Sequence, residues 1–136
     1  MLGAEIFPME RNSPSLRVLV VDDEPLIRWS LAETLTDSGH AVIEASDGET
    51  AVRTLTDEPV DVVLLDYRLP DSDDLTLLST VRRLAPRSQV ILMTAFGTPE
   101  VTSGALALGA YRVVHKPFDM RDLTALVHQA HAAHPG

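Results

Sequence analysis

The chain has 136 residues, a length that suits one domain, and 45% of them are hydrophobic, enough for a buried core. Eleven basic side chains against twenty acidic ones leave a net charge of -9, which argues against direct binding to nucleic acid, and only 4% are aromatic, too few for a base-stacking platform. The absence of cysteine excludes disulfides, thiolate-held zinc and thiol catalysis; no apolar run is long enough for a membrane span and none opens the chain as a signal peptide, which points to the cytoplasm.

Residues 1–15 mix apolar, charged and proline residues without a period and read as a loose leader. Leu16–Val21 is the first short apolar run, followed by Ile27, Leu31 and Leu35 at helical spacing behind Pro25, which suits a first turn. Ala41–Ala45 reads as the second strand, and Ser46 with Glu49 has the pattern of a capping box opening the next helix. Val62–Leu65 is the third strand, before a helix carrying Leu75, Leu78 and Val81. Val90–Met93 is the fourth; Thr98 and Pro99 open the helix after it, and Gly109 closes that helix. Tyr111–Val114 is the fifth strand, and Asp119 caps the last helix. The folded domain is expected over residues 16–132, with 133–136 as a tail.

Strands alternating with helices predict an α/β fold: a five-stranded parallel sheet with helices on both faces. Charge suggests the strand order. The third and fourth runs carry no charge and the first only Arg17, as strands buried on both faces require, whereas Glu44 and Arg112 mark the second and fifth as edges. The flavodoxin-like order 2-1-3-4-5 meets that condition and makes strands 1 and 3 neighbours at the switch point, where ligands bind beyond the carboxyl ends. Asp22 and Asp23 follow strand 1 and Asp66 follows strand 3, so three carboxylates should crowd one crevice. A hard divalent cation such as Mg²⁺ relieves that repulsion. Thr94 after strand 4 and Lys116 after strand 5 add a hydroxyl and an ammonium, completing a set suited to handling a phosphoryl group.

Asp22-Asp23-Glu24, the run from Asp61 through Asp66 to Pro70, Met93-Thr94-Ala95 and Lys116-Pro117-Phe118 together resemble the receiver domain of response regulators in two-component signalling. The resemblance covers the chain from about Leu16 to its last helix. It implies that Asp66 accepts a phosphoryl group from a sensor histidine kinase or phosphotransfer protein. It further implies Mg²⁺ held by Asp22 (mostly through water), Asp23, Asp66 and the main-chain carbonyl of Arg68. Thr94, the Ala95 amide and Lys116 would bind phosphate oxygens, with a cis peptide at Lys116-Pro117. The domain would be a switch acting through its helix 4/strand 5/helix 5 surface, a possible homodimer contact, with no separate substrate to turn over. A degenerate receiver serving as a phosphorylation-independent interaction module is the alternative. A haloacid-dehalogenase-type phosphatase would need a second acid where Arg68 stands. The wording Thr94-Ala-Phe-Gly-Thr-Pro-Glu100 is similar to receivers attached to transcriptional regulators, and both a standalone receiver and part of a larger regulator stay open.

Several positions depart from the family pattern. Val113 occupies the switch position where an aromatic is usual, and Tyr111 is on the same strand face if the strand begins there. Asp71 and Asp74 replace loop glycines and are expected to add negative charge near the site. Gly104 should weaken the fourth helix and make it easy to shift. Leu26 and Trp29 should face solvent, since Trp29 falls about 160° from Leu31 around the helix, and they are candidates for kinase docking. His128, His131 and His134 read as a solvated helix end rather than a metal site, and His115 as a strand-edge residue.

Overall fold

The computed structural model describes residues 15–133; most of the expected leader, and residues 134–136 with His134, lie outside them. Among the described residues five strands alternate with five helices: β1 (Arg17–Val21), α1 (Pro25–Asp37), β2 (Ala41–Ala45), α2 (Gly48–Asp57), β3 (Val62–Asp66), α3 (Thr76–Leu84), β4 (Gln89–Thr94), α4 (Pro99–Ala107), β5 (Arg112–His115) and α5 (Met120–Ala133). All strand pairs are parallel, and the sheet order is β2-β1-β3-β4-β5, as the distribution of charge predicts. β3 is buried throughout, whereas Glu44 on β2 and Arg112 on β5 are exposed at the sheet edges.

The pleat sorts the apolar side chains into two layers. Leu19, Val21, Val63, Leu65, Val90 and Leu92 cluster with Ala51, Leu78 and Ala105 of α2, α3 and α4. Val18, Val20, Val62, Leu64, Ile91 and Met93 cluster with Leu31, Leu35, Leu123 and Val127 of α1 and α5. Because both faces are covered, the central strands are continuous apolar runs, and polar side chains gather where the strands end.

Several helix ends follow local chemistry, and one cap differs from the expected residue. Thr98 Oγ1 accepts the Val101 N–H at 3.2 Å, and Asp119 Oδ1 accepts the Arg121 N–H at 2.7 Å. Gly109, at φ +105°, stops α4, and the Ala110 N–H returns to the Ala105 carbonyl at 3.0 Å. At α2, however, the capping residue is Asp47, whose side chain accepts the Thr50 N–H at 2.8 Å, not Ser46 paired with Glu49. Either neighbour fits the local pattern, and the chain enters the helix one residue later.

One further expectation changes. β5 begins at Arg112, so strand alternation does not reach Tyr111: its ring joins the α1/α5 layer, while Val113 joins the α2/α3/α4 layer. Tyr111 therefore does not stand in for the aromatic missing at Val113. Gly104 has a packing reason, since a Cβ there would meet Leu75 Cδ1 at 2.9 Å.

Candidate functional site

The strand order sets the site. β1 and β3 pair in register, Val21 opposite Leu65, so Asp22 and Asp66 emerge side by side at their carboxyl ends. One oxygen from each of Asp22, Asp23 and Asp66 lies within 4.8 Å of the others, and among the described residues no second group of three His, Cys, Asp or Glu converges this way. Asp22 is fully buried and Asp66 is 6% exposed, while Asp23 is open to solvent.

Asp22 is held on every side. Its N–H donates to the Ala45 carbonyl at 3.1 Å, and its own carbonyl accepts Arg28 Nη1 at 2.7 Å. Oδ1 accepts the Glu24 N–H at 2.9 Å, and Oδ2 accepts Lys116 Nζ at 2.9 Å. Lys116 arrives from β5, with its N–H bonded to the Thr94 carbonyl at 2.8 Å and a cis bond to Pro117. Its ammonium also lies 3.0 Å from Glu24 Oε1 and 3.3 Å from Asp66 Oδ2. The contact with Glu24 escaped sequence reasoning, because an acid beside two others looks like part of one solvated run.

Burial first, and the Asp22 charge second, push the Asp66 carboxyl up to about 6, even though Lys116 and the Arg68 amide favour its ionised form. Burial opposes the charge on Lys116, but hydrogen bonds to Asp22 and Glu24, with the nearby Asp66 charge, outweigh it and hold the ammonium above the ordinary lysine range. Lys116 therefore stays charged, yet one ammonium does not offset the acids around it. The raised Asp66 value reflects burial first and the Asp22 charge second. Few carboxylates, hard oxygen donors and an open side suit Mg²⁺.

A cleft of about 280 Å³ opens over Asp66, lined among others by Asp23, Glu24, Arg68, Thr94, Ala95 and Lys116. Thr94 is buried at the end of β4; its Oγ1 accepts the Phe96 N–H at 3.1 Å, leaving the hydroxyl proton free to donate. Ala95 is exposed at the rim. The Arg68 N–H approaches Asp66 Oδ1 at 3.4 Å.

The remaining expectations divide. Leu26 and Trp29 are 72% and 58% exposed on α1, as their helical phase predicts. Phe96, 73% exposed beside Thr94, was missed because a lone loop aromatic has no periodicity to betray it. Asp71 and Asp74 do not line the cleft: Asp71 accepts the Gly48 and Glu49 N–H groups at 2.8 and 3.0 Å, and Asp74 accepts the Thr76 N–H at 2.8 Å. Both are occupied at helix N-termini, where anionic oxygens are favoured. His128 is not a solvated helix end. Its Nε2 lies 3.2 Å from Nε2 of buried His40, whose Nδ1 accepts the Leu16 N–H at 3.0 Å. His115 sits exposed at the end of β5, with its ring close over Gly97.

The family model for the response regulator receiver domain matches residues 18–128. The chain is 39% identical over 114 residues to the regulatory protein AtoC of Escherichia coli, a match covering 84% of this chain and 25% of that protein. It is 36% identical over 111 residues to the DNA-binding transcriptional regulator NtrC of Klebsiella pneumoniae, covering 82% and 24%. The chain thus spans about a quarter of the length of the curated relatives it matches. Among solved structures, a CheY-like response regulator receiver domain from Methanospirillum hungatei superposes with a TM-score of 0.84 at 27% identity, covering 88% of this chain and 95% of that one. The beryllofluoride-activated NtrC4 receiver domain dimer gives 0.82 at 30% identity, covering 87% and 98%.

Proposed function

The chain belongs to the response regulator receiver family, and on that premise we propose a phosphorylation-dependent switch in which Asp66 accepts a phosphoryl group from the phosphohistidine of a sensor kinase or phosphotransfer protein. The observation that carries this reading is the meeting of Asp22, Asp23 and Asp66 with the Lys116 ammonium at one cleft.

Asp23, Asp66 and the Arg68 carbonyl would hold Mg²⁺ directly, and Asp22 mostly through water. When bound, the ion supplies positive charge against the charge that builds on the transferring oxygens. An Asp66 oxygen attacks the phosphorus in line, and the donor's P–N bond breaks as the O–P bond forms. Lys116 neutralises charge beside Asp66, from 3.3 Å away. The Thr94 hydroxyl and the Ala95 N–H donate to the phosphoryl oxygens, fixing the group. Drawing Thr94 toward the phosphoryl group competes with its bond from Phe96. That displacement reaches the α4/β5/α5 surface through Val113, which shares a layer with Ala105 and Val101 of α4. The same surface is the proposed homodimer contact. The domain spans residues 16–132, modifies itself and turns over no separate substrate. A cytoplasmic location accords with the absence, among the described residues, of any helix long and apolar enough to cross a membrane. This chain, whose net charge is -9, is not expected to bind nucleic acid directly. Leu26 and Trp29 form part of the kinase-docking face. Trp29→Ala should slow transfer from the cognate kinase and spare modification by a small donor.

Incubation with acetyl phosphate and Mg²⁺, followed by intact-mass measurement, tests the reading. One added phosphoryl group in the unsubstituted protein, lost in Asp66→Asn, is expected. No gain would favour the phosphorylation-independent module, to which Val113 at the usual aromatic position lends some support. Hydrolysis of added phosphate esters would indicate a phosphatase.

A further inference from the structure

We infer that Asp71 is a positioning residue that ties the loop after β3 to the start of α2 and so steadies the Arg68 segment beside Asp66; the inference rests on the cleft being a Mg²⁺ and phosphoryl site.

The loop leaving Asp66 is fixed at its base, where the Tyr67 N–H donates to the Met93 carbonyl at 2.8 Å. Leu69 and Ser72 then exchange two main-chain hydrogen bonds, at 2.8 and 3.1 Å, which close a tight turn around Pro70 and Asp71. Asp71 stands at the tip. Its carboxylate takes the N–H groups of Gly48 and Glu49, the first two residues of α2. Such groups have no partner within their own helix. Asp47 caps Thr50 from within the same segment, so Asp71 supplies the remaining acceptors from a different loop.

The approach is tight at Gly48, where an added side chain would press on Asp71 and Leu77. A Cβ at Gly48 would meet Asp71 Oδ1 at 3.2 Å and Leu77 Cδ2 at 3.0 Å. On the far side of Gly48, the Ala45 carbonyl holds the Asp22 N–H. On the far side of Asp71, the Arg68 N–H approaches Asp66 Oδ1. The short segment between Ala45 and Gly48 therefore holds Asp22 directly and the Asp66 loop through Asp71. Buried Leu69 anchors the middle of that loop, and among the described residues Asp71 supplies the hydrogen bonds that join its tip to the neighbouring connection. Without the tie, the Arg68 amide loses part of the support that keeps it beside Asp66.

Asp74→Ala is the control. It removes the same charge from the same loop and also uncaps a helix, but Asp74 binds only Thr76 within its own segment. Two measurements decide: the Mg²⁺ dissociation constant by calorimetry, and amide exchange at Arg68, Leu69 and Ser72 in metal-free protein. Asp71→Ala should weaken Mg²⁺ binding about tenfold, as loss of an outer support does, with Asp71→Asn between and Asp74→Ala within about twofold of the unsubstituted chain. Exchange at the three amides should speed up in Asp71→Ala and not in Asp74→Ala. Equal behaviour of the two alanine variants in both measurements would reduce Asp71 to a cap for α2 and overturn the inference. If the unsubstituted protein binds no Mg²⁺, the reading of the cleft fails, and unchanged exchange at Arg68 in Asp71→Ala would remove the positioning role independently.

Discussion

Replacing Asp66 with asparagine should make the metal-free protein more stable at neutral pH, although it removes the proposed phosphoryl acceptor. Asp66 titrates at about 6 in the folded chain against 3.8 in the ordinary carboxyl, chiefly through burial and then through the Asp22 charge. Over that interval the folded state holds more protons than the unfolded chain, so stability falls as pH rises from about 4 through 6. At about 1.4 kcal/mol per pH unit the loss approaches 3 kcal/mol by pH 8. Asparagine is nearly isosteric with the protonated acid and carries no charge to repel Asp22, so the variant should lack this fall. Urea unfolding in chelator at pH 4, 6 and 8 measures it. The two proteins should nearly coincide at pH 4, and Asp66→Asn should lead by about 3 kcal/mol at pH 8, roughly 10 °C in melting temperature. Mg²⁺ should close much of the gap by stabilising only the unsubstituted chain. A pH-independent difference, or a less stable variant at pH 8, would refute the argument that burial and the Asp22 charge disfavour the ionised form of Asp66.

Lys116→Met should act in the opposite direction: leaving Asp22 and Asp66 buried without their counter-ion should cost about 3–5 kcal/mol at pH 8 without metal, and less at pH 4, by the same urea titration. His40 is held below its ordinary 6.5 by burial and by His128, so its own contribution to stability is lost as pH falls below about 6.5, opposite in sign to that of Asp66. His40→Asn, whose side-chain oxygen can take the Leu16 N–H, should flatten that acid-side fall in thermal melts between pH 7 and 5. Gly104→Ala should raise stability by less than the roughly 1 kcal/mol of helix propensity gained, because Leu75 Cδ1, 2.9 Å from the new Cβ, must move aside; a loss above that size would mean that Leu75 cannot yield.

The strand order and the convergence of Asp22, Asp23, Asp66 and Lys116 were legible along the chain, because both follow from short-range regularities. Uncharged runs at Val62–Leu65 and Val90–Met93 against Glu44 and Arg112 gave the strand order, and that order brings Asp22 and Asp66 together whatever the side chains do in detail. Caps such as Thr98 and Asp119 were legible for the same reason, since donor and acceptor lie two or three residues apart. Partners that meet across long separations emerge only once the chain is folded. Asp71 reaches Gly48 across 23 residues, and His128 reaches His40 across 88. No local periodicity encodes such contacts, because each end satisfies an ordinary loop or helix pattern alone. Where β5 begins, and hence which layer Tyr111 enters, was settled likewise by its pairing with β4, not by propensity along the strand.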